Sequence, residues 1–235
     1  MTPPSTQLPT GTREPLAEAL VTLAETPDDV PGIAPHLRGI AQLTVDRIAA
    51  VDYAAVTTAP DGSCAVAASG ELVTAVEDAS GAGDPVPPPR AAGSGDAPPT
   101  MTWPGFPQDA AGMGLRSVSM PLYAGSGARI ATLQLYGRDA AEMSVLSAAI
   151  QAAENPDLPW PPEGDDRQPL DAGVEELAVG YAEALSVRAT IQLALTLLER
   201  SGGPGAYPRL RLRAAEDGVL LLTAATTIVS RGLGG

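Results

Sequence analysis

ALSVRATIQLALTLLER, residues 184–200, is the stretch on which the reading of this chain turns. Taken with the residues before it, Leu177, Tyr181, Ala184, Arg188, Ile191, Ala194 or Leu195, and Leu198 recur at steps of three and four. That period puts side chains on one stripe of an α-helix. The pattern predicts a single helix over residues 171–200, about 45 Å long and too long for a small bundle to cover alone. Its first half therefore needs a partner, either the helix ending near Ala153 or a second subunit. Gly202, Gly203 and Pro204 stop the helix. Pro208 then falls in the first turn of a second helix, where its missing N–H costs nothing. Leu210, Ala214 and, less centrally, Leu212 face inward there; Arg209 and Arg213 lie four apart on one side, with Arg211 elsewhere. Gly218 ends the second helix, and residues 219–229 make a third.

Upstream the period changes. Residues 1–13 are Pro, Thr and Gly without repeat and read as a disordered tail. From Ile33, the positions Leu37, Ile40, Ala41, Val45 and Ile48 give an amphipathic helix ending near Val51. Residues 53–59 and 63–69 flank Pro60-Asp61-Gly62 and read as a β-hairpin. A short helix over 71–78 and a long Gly/Pro loop over 80–100 follow. Beyond Trp103 and Phe106, a short helical segment runs to Ala111. Two strands, 116–123 and 128–136, are joined by Gly125-Ser126-Gly127. A helix over 141–153 closes this part. The Pro-rich acidic run 155–169 marks a boundary between a unit of residues 14–154 and one of residues 170–235. The element order predicts an α+β fold: an antiparallel sheet with helices packed on one side, then three helices.

Charge is distributed unevenly along the chain. The net charge of the 235 residues is −14. Such a charge repels polyanions, and taken whole it argues against nucleic-acid and anionic-membrane binding. Residues 1–169 carry 8 Arg against 21 acidic residues, whereas residues 184–235 carry 6 against 3. Any RNA contact is therefore expected at the C-terminal end. No apolar run reaches the ~20 residues that span a bilayer. With one cysteine and no secretion-type start, the expected location is cytoplasmic.

Reactive groups are few, and an enzyme is not expected. His36, the one histidine, stands beside Pro35 at a helix start and reads as a capping or surface residue. Cys64 lies among Ala and Val in a strand with nothing basic beside it, and reads as a buried small side chain. One Cys and one His furnish neither a structural zinc site nor an ordinary haem pocket, so no metal or cofactor is expected. The pairs Asp28-Asp29 and Asp165-Asp166 sit beside prolines and read as solvated loop charge. None of the Gly-x-Gly triplets stands in the strand–turn–helix setting of a phosphate loop.

The C-terminal order resembles the ANTAR domain, an RNA-binding three-helix module of transcription antitermination regulators. Arg188, Ile191 and Ala194 match its first helix, Tyr207 stands where it has Phe, and Leu210-Arg211 is kept. Leu195-Thr196 replaces its Lys-Gly. The N-terminal part is similar to the GAF domains that precede ANTAR in actinobacterial regulators. The matching residues are Trp103-Pro104 with Phe106, then 114–122 and 130–136, and more weakly 51–62. Residues 77–84 depart from the Gln and Gly-Pro-Cys segment usual there.

The resemblance implies a GAF–ANTAR regulator that dimerises, binds stem-loop RNA and prevents termination in response to a signal. Its RNA contacts would be Arg188, Arg200, Tyr207, Arg209, Arg211 and Arg213, by phosphate pairing and base stacking. Tyr53, Trp103, Phe106 and Tyr123 would line a ligand pocket between sheet and long loop; the residues by themselves favour the reading that these rings fill a core otherwise short of bulk. The other reading is a diverged relative without RNA binding, acting as a ligand-sensing or protein-interaction scaffold. DNA and membrane are expected in neither.

Overall fold

The computed structural model describes residues 15–29, 32–58, 64–69, 101–102, 105–158, 171–202 and 205–233. The short helix at 71–78, the loop at 80–100, the boundary run at 159–169, Trp103 and the N-terminal tail lie outside the described residues. Helix α1 spans Pro15–Glu25 and α2 Ile33–Arg47. Strands β1 (Tyr53–Thr58), β2 (Cys64–Ala68) and β3 (Met101–Thr102) follow. Next come α3 (Phe106–Gly112), β4 (Arg116–Tyr123), β5 (Arg129–Gly137), α4 (Ala140–Glu154), α5 (Ala172–Arg200), α6 (Ala206–Asp217) and α7 (Leu221–Leu233). The strands form one sheet in the order β3-β2-β1-β5-β4, with every neighbouring pair antiparallel. The expected α+β class holds.

Strand alternation divides the apolar residues between the two faces. Ala54 and Val56 of β1, Leu133 and Leu135 of β5, and Met120 and Leu122 of β4 join the main core. Ala55, Val66, Cys64 and Tyr136 point the other way and pack with Phe106 and Ala110 of α3. The expectation of helices on one side only is thus corrected, because α3 covers the opposite face.

Helix α1 packs chiefly along α5. It buries Leu16, Leu20, Val21 and Leu23, each contributing about 1.5–3 kcal/mol. The crossing is close: a Cβ on Gly180 would stand 2.4 Å from the Ala17 Cα. Glu176 ties the two helices electrostatically. Its Oε1 accepts the Leu16 and Ala17 amides at 2.6 and 3.3 Å, and its Oε2 meets Arg47 Nε at 3.3 Å. A buried carboxylate thereby satisfies amides that the first turn of α1 cannot bond within the helix.

Helix α5 has 29 residues, about 44 Å of length. Asp171 caps it, accepting the Gly173 and Val174 amides at 2.7 and 3.2 Å. Its other oxygen takes the Ala49 amide at 3.1 Å, fixing the helix start against the end of α2. The N-terminal half of α5 lies against α1 and α4, where the Tyr181 hydroxyl donates to Glu154 at 3.1 Å. The C-terminal half packs on α6 and α7. One apolar cluster consequently runs from Leu16 to Ile228. Gly218, at φ 64°, ends α6 as expected, with the Val219 amide bonded to the Ala214 carbonyl at 2.9 Å.

Candidate functional site

The β4–β5 turn, Gly125-Ser126-Gly127, is where four parts of the chain meet. From α5, Gln192 Nε2 donates to the Ser126 carbonyl at 2.6 Å and Arg188 Nε to the Gly127 carbonyl at 2.9 Å. From the segment after α1, the Thr26 carbonyl accepts the Gly125 amide at 2.7 Å and Asp28 Oδ1 accepts the Ser126 amide at 2.8 Å. The Ser126 hydroxyl also donates to Asp28 Oδ2. Leu221 of α7 lies so close to Gly125 that a Cβ there would stand 2.8 Å from its Cδ1. Glycine is needed on both sides of Ser126: at Gly125 for this approach, and at Gly127 for a φ of 76° with Gln192 pressed against it.

The six residues matched to RNA contacts do not form one patch. Arg188 turns into the protein, with its guanidinium carbon 4.1 Å from the Tyr123 ring centre. Arg209 closes the end of α5: Nη1 donates to the Gly202 carbonyl at 2.7 Å and Nη2 to that of Leu198. On α6 the buried Leu210 and Ala214 separate two flanks. Arg209 and Arg213, four apart, hold one flank; Tyr207 and Arg211, also four apart, hold the other. Arg211 stands 5.9 Å from the Tyr207 ring centre and pairs with Asp29 at 2.8 Å. Tyr207 receives the Asp28 amide on its hydroxyl at 3.4 Å. Arg200, exposed in the last turn of α5, and Arg213, half-buried, have no hydrogen-bond or ion-pair partner among the described residues. Leu212, expected inward, is 59% exposed, since its position lies opposite the Leu210–Ala214 stripe.

Electrostatics follow the contacts. The Arg211 guanidinium holds the Asp29 carboxyl below the usual carboxylate range. Burial raises the Tyr207 phenol above its ordinary value. Asp28, read as solvated loop charge, instead accepts from Ser126 and the Tyr207 hydroxyl; the Asp29 side chain stays 64% exposed, as that reading has it, while pairing with Arg211. Two acids beside a loop proline carry no sequence signal for such distant partners.

Of the four aromatic pocket candidates, Tyr53 and Phe106 come together on the α3 face of the sheet. Their ring centres are 5.3 Å apart, and Phe106 meets Tyr136 edge-on at 5.0 Å. These rings pack as a core with Cys64. Tyr136 was missed in the sequence, though its position one residue past Leu135 on an alternating strand already set it on the face opposite Leu133 and Leu135. Burial pushes its phenol up to about 12, with Cys64 adding to the shift. Burial also raises the Cys64 thiol. Tyr123 does not join this cluster. A register irregularity between Leu122 and Tyr123 breaks the alternation and turns Tyr123 toward α5.

No group of three or more His, Cys, Asp or Glu side chains among the described residues is placed to hold a metal ion. Among them, no helix is long and apolar enough to cross a membrane. Compared with protein-family models, with curated proteins and with solved structures, the chain has no match in any of the three.

Proposed function

We propose that this chain is a signal-responsive regulator of the GAF–ANTAR kind, which binds stem-loop RNA through its C-terminal helices. The observation carrying the proposal is that Arg200 and Arg213, in a locally positive segment, are left without hydrogen-bond or ion-pair partners among the described residues. On the other flank of α6, Tyr207 and Arg211 offer a ring and a guanidinium, the pair of groups that takes a base and a phosphate. Arg188 and Arg209 are left out of the contact set, because their guanidinium groups already serve carbonyls inside the fold. The test is binding to a pool of short stem-loop RNAs at low and moderate salt, with Arg200→Ala/Arg213→Ala alongside. Contact with n phosphates of a single-stranded loop gives a salt slope near −0.7n. Loss of binding in the variant, whose fold is not expected to depend on either side chain, supports the reading. Binding absent at low salt overturns it.

A second reading, a scaffold acting through protein contacts, is favoured by a different observation. Val179, Ala182, Ser186, Ala189, Leu193 and Thr196 recur at steps of three and four along α5; all are uncharged, and none is buried. Such a stripe suits a second helix laid along it. In either reading the proposed assembly is a homodimer joined there.

A further inference from the structure

Residues 26–29 are bonded simultaneously to the sheet and to α6. Thr26 and Asp28 grip the β4–β5 turn through the Gly125 amide and through the amide and hydroxyl of Ser126. One residue later, Asp29 Oδ2 lies 2.8 Å from Arg211 Nη1. The Asp28 amide reaches the Tyr207 hydroxyl at 3.4 Å. Two neighbouring residues thus divide the work. The carboxylate of Asp28 accepts from Ser126 and, at 3.5 Å, from the Tyr207 hydroxyl, anchoring the segment, and that of Asp29 is delivered to the arginine that stands beside the Tyr207 ring.

We infer that Asp29, held in place by Asp28, is a built-in anionic competitor on the Tyr207–Arg211 face, so that an RNA phosphate binds Arg211 against its charge and its hydrogen bond. The inference rests on the RNA reading above. Its chemistry is that of competition between acceptors: a carboxylate and a phosphate both offer oxygens to the same guanidinium, and the carboxylate already holds one of its N–H groups and offsets its charge. The pair is solvent-accessible, with side chains 39% and 64% exposed for Arg211 and Asp29. A contact of that kind is weak enough for a multivalent anion to replace. The anchor gives the device an input as well. The turn that holds Asp28 is itself held by Gln192 and Arg188 of α5. A shift of the turn relative to α5 would therefore move Asp29 with respect to Arg211.

The experiment compares wild type, Asp29→Asn and Asp157→Asn for binding to the stem-loop RNA pool at one low salt concentration. Both variants remove one negative charge. Asp157, however, lies exposed just past α4, where its backbone amide bonds to the neighbouring Asn155 side chain. The expected result is binding about twofold to fivefold tighter for Asp29→Asn, the scale of one exposed ion pair, with Asp157→Asn unchanged. Equal affinity in all three proteins, or the same gain in both variants, overturns the inference and leaves the RNA reading standing. No RNA bound by any of the three, Asp29→Asn included, overturns both. Asp29 touches the rest of the fold through its exposed end, so the variant is expected to fold as wild type does.

Discussion

The guanidinium carbon of Arg188 lies 4.1 Å above the Tyr123 ring, which fixes α5 to the last residue of β4. With the Nε bond to the Gly127 carbonyl, this stacking makes Arg188 a structural clamp. Arg188→Ala is expected to cost about 1–2 kcal/mol, from a lost cation–π contact and an orphaned carbonyl. Arg188→Lys should recover only part, because an ammonium cannot stack and donate sideways as a planar fork does. Urea denaturation reads both. RNA affinity of the folded Ala variant is expected to match wild type; a loss there would return Arg188 to the contact set.

Glu176 is 8% exposed and serves three donors. Truncation strands two amides of α1 and one face of Arg47, for a cost of about 2–3 kcal/mol in Glu176→Ala. Glu176→Gln keeps an acceptor for the amides and should lose about half as much. Hydrogen exchange of the α1 amides is the discriminating measurement, since protection there should fall more than in the sheet.

Two glycines in helices are expected to respond with opposite sign. In Gly180→Ala the new methyl would meet the Ala17 backbone, which has no freedom to withdraw, and overpacking of this kind costs about 1–3 kcal/mol. In α2, a Cβ on Gly39 would have nothing within 4 Å of it. Gly39→Ala should therefore stabilise by about 0.5–1 kcal/mol through helix propensity alone. Thermal midpoints of the two variants should fall on either side of wild type.

Alkaline pH should weaken the fold through Tyr136. Its phenol is pushed up to about 12 by burial, against about 10 in an unfolded chain. The neutral ring is the form the fold favours. Its contribution is complete below pH about 10 and is lost as the pH rises toward 12. Tyr181, raised in the same direction by burial and by Glu154, adds to the slope. Denaturant midpoints taken from pH 8 to 12 should fall less steeply in Tyr136→Phe than in wild type.

The uncharged stripe on α5 predicts a dimer that a pair of charges disrupts. Ala189 and Leu193 sit mid-stripe and exposed. Ala189→Glu/Leu193→Glu places like charges at a symmetric contact and should halve the mass seen by light scattering. The far-ultraviolet circular dichroism should stay unchanged. A wild-type monomer at high concentration would sink the dimer.

How far the fold was legible depends on how local its causes are. The limits of α5 followed from Asp171 and from Gly202-Gly203, and those of β4 from the alternation of Val118, Met120 and Leu122. Helix α1 was missed because its apolar face is broad: Leu16, Ala17, Leu20, Val21, Leu23 and Ala24 are all buried, leaving little polar contrast to reveal a period. The site was less legible still. A one-residue irregularity after Leu122 decided where Tyr123 points, and partners nearly a hundred or more residues away decided what Asp28, Asp29 and Arg211 do. Spacing along a chain records the period of an element; it does not record which loop will be laid across it.

The wrapping of α1 onto α5 has a consequence for how such a protein can be taken apart. The first described helix covers one that begins about 150 residues later, so the two ends of the sequence are interleaved around the sheet. A cut anywhere in residues 159–170 would leave Leu177, Ala178 and Tyr181 facing water on one fragment and Leu20 and Leu23 on the other. The C-terminal helices thus share their apolar surface with the first described helix. Either half produced alone is expected to expose the apolar surface that the other half covers.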